Sequence, residues 1–223
     1  MKTFKEFNNI NESKINEDSN GLKGVKEYRD GLTPEIIQKD FPWLLRAKFK
    51  DAVIGLDADE ELAWYDGIWE KGNWKNGVWE NGTWESGIWE DGDWYNGTWE
   101  NGRWHTGMWR KGTWKGGTWE DGVWLDGTWK NGDWYDGTWK GGSWDKGIWE
   151  DGTWEDGVWE FGTWEDGTWD DGTWEDGEWK DGTWKKGVWL GGRWMRGTWK
   201  KGKIQNSELK KLIDSEIPPK SMS

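Results

Sequence analysis

A tryptophan recurs at every fifth position over more than half of this chain. The series begins at Trp64 and reaches Trp199 without an interruption, which gives 28 repeat tryptophans among the 29 in the sequence. A glycine follows three positions after each of them, from Gly67 to Gly202, so the repeating unit reads Gly-x-Trp-x-x. A period this strict indicates a repeat architecture in which each unit packs mainly against its neighbours.

The odd period discriminates between two β architectures. Nineteen of the 28 residues that precede the repeat glycines are Asp, Asn or Gly, which favour tight turns. An antiparallel meander with two-residue turns needs an even number of residues per strand, whereas x-Trp-x has three. It would also expose every indole on one open face. In a β-solenoid, Gly and Trp point inward together because they are two positions apart. The sequence therefore predicts an all-β repeat fold, a β-solenoid.

Smaller apolar residues continue the phase of the repeat at both ends. Phe49 and Ile54 stand 15 and 10 positions before Trp64, and Ile204 stands five positions after Trp199. Ala47 and Ala52 occupy the positions that glycine takes in later units. Because solenoids need terminal units that differ from the interior ones, we interpret these residues as capping units.

The run from Ala47 to Ile54 resembles the pentapeptide-repeat family, whose members are right-handed, four-sided β-helices with a small residue two before a central Leu or Phe. The resemblance implies four units per coil, hence about seven coils and a length of about 34 Å at ~4.8 Å per strand. The Gly-x-Trp units combine a larger centre with a smaller partner, a roughly volume-conserving exchange. Gly-x-Trp-x-Asp/Asn-Gly also resembles part of the MORN repeat. An antiparallel MORN-like β-meander is therefore the alternative fold.

A weaker period of ten residues lies on the period of five. The residue before Trp is Ile, Val or Thr at twelve of the fourteen positions from Ile68 to Thr198 in steps of ten. In a four-sided coil this pattern would make one pair of opposite sides flatter and more β-branched. We expect either a lateral association surface or simple β-propensity without further consequence.

The flanking sequences divide the chain into four segments. We expect a flexible N-terminal leader at 1–32, a helical and loop cap with the first in-phase units at 33–62, the solenoid at 63–206, and a capping helix with a tail at 207–223. Thr33-Pro34-Glu35 is a strong helix start, and we expect that helix to end near Asp40. Ser207 is the predicted N-cap of an amphipathic helix that continues to Ile213.

The first seven residues, Met1 to Phe7, resemble the leader of head proteins in tailed phages of the T-even type. In that group a protease cuts after Glu in Leu/Ile-x-Glu, and two such triplets end at Glu12 and Glu17. The resemblance implies possible leader cleavage after these residues and a location in the virion or the host cytoplasm. The alternative is an ordinary short amphipathic helix in a cytoplasmic protein.

Composition narrows the function classes. The net charge of −13 makes nucleic acid an unlikely ligand, because phosphate binding needs a basic face. There is no cysteine, and the single histidine, His105, takes an outward position in its unit. The carboxylates are spread evenly and are expected to be solvated, so we predict no catalytic, cofactor-binding or metal-binding residues. No apolar run is long enough to span a membrane.

The charge is distributed unevenly along the repeat. Outward charges are almost all acidic from Asp145 to Glu178 and mostly basic after Lys180. The candidate basic contact end consists of Lys185, Lys186, Arg193, Arg196, Lys200 and Lys201. We expect either an electrostatically oriented contact at this end or a solvated surface of uneven charge.

Together these patterns predict a non-catalytic structural or interaction protein. We expect a rigid repeat rod, a bacteriophage virion or prohead component, with capsid or other virion proteins as partners, self-association as a further possibility, and no cofactor. One alternative follows from the resemblance, since some pentapeptide-repeat proteins are acidic rods that mimic DNA and bind DNA gyrase, a topoisomerase. Another is a carbohydrate-binding adhesin, which requires the tryptophans to face outward.

Overall fold

The computed structural model describes residues 22–206 and 211–219. The N-terminal elements are β1 (Val25–Tyr28), α1 (Pro34–Asp40), a 3-10 helix (Pro42–Arg46), β2 (Lys48–Leu56) and β3 (Leu62–Lys71). Two-residue strands follow at every fifth position, from β4 (Asn73–Trp74) to β29 (Thr198–Trp199), each made of a repeat tryptophan and the residue before it. The last two strands are β30 (Gly202–Asn206) and β31 (Lys211–Ser215).

Each repeat strand in the interior of the rod pairs in parallel with the strands three units before and three units after it, so one coil contains three units. Trp104 pairs with Trp89 in the coil before it and with Trp119 in the coil after it. The predicted β-solenoid is thereby confirmed, with about nine turns. The expectation of four units and of about seven coils is wrong, as is the antiparallel meander. At ~4.8 Å per strand the rod is about 45 Å long.

The three sides of the coil can be named by their tryptophans. Face A contains Trp64 and every fifteenth residue up to Trp199. Face B contains Trp69 and its equivalents up to Trp189, with Ile204 in the last coil. Face C contains Trp74 and its equivalents up to Trp194, and its nine strands form a separate sheet. Faces A and B belong to one larger sheet because β3 contributes to both.

Indole packing explains why the coil has three sides. Along each face the indoles stack with ring centroids 4.7 to 5.2 Å apart and planes within 8° of parallel. Consecutive indoles, which belong to different faces, meet edge to face at 5.6 to 6.1 Å. Each ring therefore contacts rings of both other faces in the two geometries that aromatic pairs prefer. A square of four would separate the diagonal rings and leave a hole on the axis.

Glycine makes the sharp corner that a triangle requires. Gly132 has a φ of 133°, and a Cβ atom there would lie 2.4 Å from the carbonyl oxygen of Gly117, one coil earlier. The same Cβ would lie 3.2 Å from Cζ2 of Trp129. The corner thus needs both the backbone freedom of glycine and the space left by its missing side chain.

The residue before the glycine closes the turn. Oδ1 of Asp121 accepts a hydrogen bond from the N–H of Gly122 at 2.6 Å, and Asn101 does the same for Gly102 at 2.9 Å. Between coils, the residue after each glycine donates to the preceding coil's glycine carbonyl, as Arg103 does to Gly87 at 2.9 Å. The abundance of Asp and Asn at this position therefore reflects a side chain that satisfies a backbone donor.

The core is filled by indoles whose N–H groups are mostly unpaired. All repeat tryptophans are buried, and none is more than 8% exposed. From Trp64 to Trp179, Nε1 of every repeat tryptophan has no hydrogen-bond partner among the described residues. Leaving such a donor unpaired costs about 1–3 kcal/mol. Burying an indole of roughly 150–250 Å² contributes ~4–6 kcal/mol at ~25 cal/mol per Å². Burial therefore outweighs the lost hydrogen bond in each unit.

The N-terminal segment covers all three faces of the first coil. β2 runs antiparallel to β3, which places Phe49 opposite Trp69 and Ile54 opposite Trp64. The expected in-phase units are thus buried caps, but they run against the direction of the solenoid. Trp43, from the 3-10 helix, packs edge to face on Trp74 at 5.3 Å and so covers face C.

α1 forms as the sequence predicts. Oγ1 of Thr33 accepts a hydrogen bond from the N–H of Ile36 at 3.3 Å, and Ile37 is fully buried in the core. The expected flexible leader, by contrast, contains β1, which pairs in parallel with β2. β2 ends at Leu56, and Asp57 closes the turn to β3 by accepting hydrogen bonds from the N–H groups of Asp59 and Glu61.

The C-terminal cap is a strand where we expected a helix. Lys211–Ser215 forms β31, antiparallel to β30, with Ile213 opposite Ile204. The open edge of β30 provides backbone partners that a helix starting at Ser207 could not use, so edge pairing outweighs local helix propensity. Ser207 itself lies outside the described residues. Ile204 continues the solenoid as predicted, paired in parallel with Trp189.

The period of ten does not mark opposite sides of the rod. With three units per coil, steps of ten visit all three faces in turn, so Ile68, Val78 and Ile88 lie on faces B, A and C. The expected pair of flat, β-branched sides is therefore wrong. Face B carries Thr or Ser at this position in five successive coils, from Thr83 to Ser143.

Candidate interaction surfaces

Ion pairs run along the outside of the rod at the coil spacing. A cation and a carboxylate at equivalent positions of adjacent coils lie one above the other, as in Lys115 with Glu100 at 2.8 Å and Lys140 with Glu155 at 3.0 Å. These side chains are 39 to 50% exposed, so each pair contributes about 0–1 kcal/mol. The outer surface is therefore a set of charge ladders with coil-to-coil register.

The predicted basic contact end is largely neutralised from below. Four of its six cations pair with an acid in the preceding coil: Lys185 with Asp170, Lys186 with Asp171, Arg193 with Glu178, and Arg196 with Asp181.

Lys200 and Lys201 differ, because they lie over Lys185 and Lys186 and have no carboxylate within ion-pair distance among the described residues. The structure brings the six residues to one end, but only these two retain an uncompensated charge.

The pair of Lys186 and Asp171 shifts both ionisations. The hydrogen bond between them, at 2.7 Å, raises the pKa of Lys186. For Asp171, partial burial acts to raise the pKa, but the hydrogen bonds from Lys186 and from the N–H of Gly172 outweigh it and hold the pKa below its usual value. The pair therefore stays ionised when exposed carboxylates begin to protonate.

A column of aspartates occupies the corner between faces C and A. Its members are one coil apart: Asp121, Asp136, Asp151, Asp166 and Asp181. Each uses Oδ1 to accept the N–H of the following glycine, at 2.6 to 2.8 Å. This column is the most regular acidic feature of the rod. It does not stand out from the other acids in the sequence, because its spacing depends on three units per coil.

Two smaller features complete the charged surface. His105, as predicted, is partly exposed on the outside, with Nε2 3.7 Å from a carboxylate oxygen of Glu120. Arg110 donates to Asp93 at 2.9 Å and lies over the ring of Tyr95 at 4.5 Å. Near the N-terminal cap, burial together with the hydrogen bond that Tyr65 donates to Asp30 raises the pKa of Tyr65 to about 12.

The two candidate cleavage positions, Glu12 and Glu17, lie outside the described residues. In the described ranges no group of three or more His, Cys, Asp or Glu side chains is arranged to hold a metal ion. No helix in the same part of the chain has the length and apolar character to cross a membrane. Comparison of the chain with protein-family models, curated proteins and solved structures finds no match.

Proposed function

We propose that this chain is a non-catalytic structural or interaction protein that acts as a rigid rod. The observation that carries the proposal is the continuous indole core. Three stacked columns run the length of the repeat, with every ring also held edge to face by its neighbours. A bend would have to separate stacked rings and break coil-to-coil hydrogen bonds at the same time.

The outer surface supports an interaction role. Many of its carboxylates are engaged in corner turns and in cross-coil ion pairs, as in Asp121 and Glu100. Burial of the repeat tryptophans removes the aromatic platform that sugar binding would need, so the adhesin alternative loses its basis.

The proposed setting is a bacteriophage virion or prohead, with capsid or other virion proteins as partners. It rests on the resemblance of Met1–Phe7 to phage head-protein leaders and on the triplets ending at Glu12 and Glu17. We also propose that the solenoid is a three-sided, tryptophan-centred variant of the pentapeptide-repeat fold, on the basis of the resemblance of the run from Ala47 to Ile54. Mass spectrometry of proheads and mature particles tests the setting: we expect the protein in both, shortened after Glu12 or Glu17 in the latter. Its absence from both would refute the virion role.

Small-angle X-ray scattering tests the rod independently. Deleting residues 118–132 removes one complete coil and keeps all faces in register. We expect the maximum dimension to fall by ~4.8 Å with an unchanged cross-section. A changed cross-section or an unchanged length would refute the rigid rod.

DNA mimicry is the second candidate, and one observation favours it. The aspartate column from Asp121 to Asp181 gives a regular line of negative charge along a rigid axis. The uncompensated lysines at the C-terminal end oppose it. Inhibition of DNA gyrase supercoiling by the full chain is the test, and no inhibition at micromolar concentration would remove this candidate.

A further inference from the structure

The two ends of the rod differ in how completely their strand edges are covered. At the N-terminal end β2 covers faces A and B, and Trp43 covers face C. At the C-terminal end β31 pairs as a strand only with β30 of face B, and the carbonyl of Ser215 accepts a hydrogen bond from Nε1 of Trp199 on face A at 3.1 Å. The last strands of face C (β28, Arg193–Trp194) and of face A (β29) pair only with the coil below them, within the described residues.

Some backbone groups of these two strands have no hydrogen-bond partner among the described residues. One coil earlier, the carbonyls of Gly182 and Trp184 accept from Thr198 and Lys200 at 2.8 and 2.9 Å. No described backbone donor reaches the equivalent carbonyls of Gly197 and Trp199. Gly197 and Thr198 are also exposed, whereas their equivalents one coil earlier are half-buried. An unpaired strand edge of this kind is a template for another strand.

The charges around this edge indicate which side chains an added strand should have. Inside the rod, Lys185 and Lys186 each lie over an aspartate of the preceding coil, at 2.8 and 2.7 Å. The segment of β28 and β29 carries Arg193, Arg196, Lys200 and Lys201 and no acidic residue between them, whereas Lys203 of β30 already lies opposite Asp214 of β31. A strand placed as the next coil meets these cations from above, so carboxylates at the ladder positions would complete the pattern.

We propose that β28 and β29 form a docking edge for an extended acidic segment of a partner protein, added as a β-strand. This inference rests on the proposed interaction function and names the surface and the chemistry of the partner. A second copy of the chain fits less well. Joining two C-terminal ends would oppose the same cations, and the N-terminal end of a second copy has its first coil already covered by β2 and Trp43.

The test uses the full chain and a labelled peptide that copies residues 162–176, a complete coil with six carboxylates. We expect saturable binding that weakens as salt is raised, and no binding of the same peptide with Asn and Gln in place of Asp and Glu. Lys200→Glu/Lys201→Glu should weaken binding at least tenfold. The matched control is Lys111→Glu/Lys146→Glu, which reverses two exposed mid-rod lysines and should leave binding unchanged.

Amide hydrogen exchange identifies the site. In the free protein the N–H groups of Trp194 and Trp199 should exchange at least tenfold faster than those of Trp179 and Trp184, and the peptide should slow them at least tenfold. Equal binding by both double variants, or protection elsewhere on the rod, would overturn the proposal. Protection of Trp194 and Trp199 already in the free chain would show that this chain occupies its own edge, and would also overturn it. None of these outcomes bears on rod length, which tests the proposed function separately.

Discussion

Gly116 and Gly117 are adjacent, but only the second occupies a corner position of the repeat. Gly117 has a φ of 113°, and a Cβ atom there would lie 2.3 Å from the carbonyl oxygen of Gly102 and 2.8 Å from its nitrogen. Gly116 has an ordinary φ, and the nearest atom to its Cβ position is 3.7 Å away. The pair therefore separates the corner requirement from the general effect of replacing a glycine with alanine.

We expect Gly117→Ala to destabilise the rod by about 2–4 kcal/mol. A non-glycine residue in this backbone region costs about 1–3 kcal/mol. The clash also forces adjacent coils apart by about 1 Å, which weakens the hydrogen bond from the N–H of Thr118 to the Gly102 carbonyl, at 2.9 Å, by about 1 kcal/mol. Gly116→Ala should be neutral or stabilising by up to about 1 kcal/mol, because it restricts only the unfolded chain.

Urea unfolding followed by far-UV circular dichroism measures both variants. Because a solenoid can open locally, amide exchange at Thr118 gives a second, site-specific readout. If the two alanine variants unfold at the same urea concentration and protect Thr118 equally, the stacked-corner reasoning is wrong.

Three further predictions follow from particular contacts. The tryptophan emission of the folded protein should be blue-shifted from that of free tryptophan and resist iodide quenching, because the repeat indoles are at most 8% exposed; red-shifted, readily quenched emission would contradict the closed core. Thr33→Ala should lower the unfolding free energy by about 1 kcal/mol through loss of the N-cap bond to Ile36, with Thr33→Ser as the control that retains it. Lys186→Ala should raise the pKa of Asp171, measured by NMR titration, because it removes the 2.7 Å hydrogen bond. Since the folded pKa of Asp171 is lowered, this pair's stabilisation is present above the unfolded value of about 3.9 and is lost as pH falls through the folded pKa. An unshifted Asp171 would argue against the pair in solution.

The charge ladders show why the number of sides could not be read from the sequence. Lys185 has an acid three units earlier, Asp170, and another four units earlier, Glu165. Acidic residues are so frequent that a three-sided and a four-sided coil would both supply partners. The choice between the two therefore had to come from packing, and the large indole together with the glycine corner favours the triangle.

The ends of the rod were less predictable than its interior. Phe49 and Ile54 hold the phase of the repeat, and the sequence correctly indicates that they cap it. It could not show that β2 runs antiparallel, because a single strand with two apolar residues five apart fits the first coil in either direction. The sequence predicts an amphipathic helix from Ser207 to Ile213, yet Lys211–Ser215 pairs with β30 because an open edge lies beside it.

The local code, Gly-x-Trp with Asp or Asn before the glycine, determines by itself that each unit turns inward, buries its indole and closes its corner. These are short-range consequences of side-chain size, alternation along a strand and a positive φ. The tertiary structure decides what depends on distant residues meeting: three sides per coil, the cross-coil ion pairs, the aspartate column and the strand edge at β28 and β29, which no strand among the described residues extends. Those features require residues at least three units apart to come together, and the repeat is too uniform for its sequence to specify which ones do.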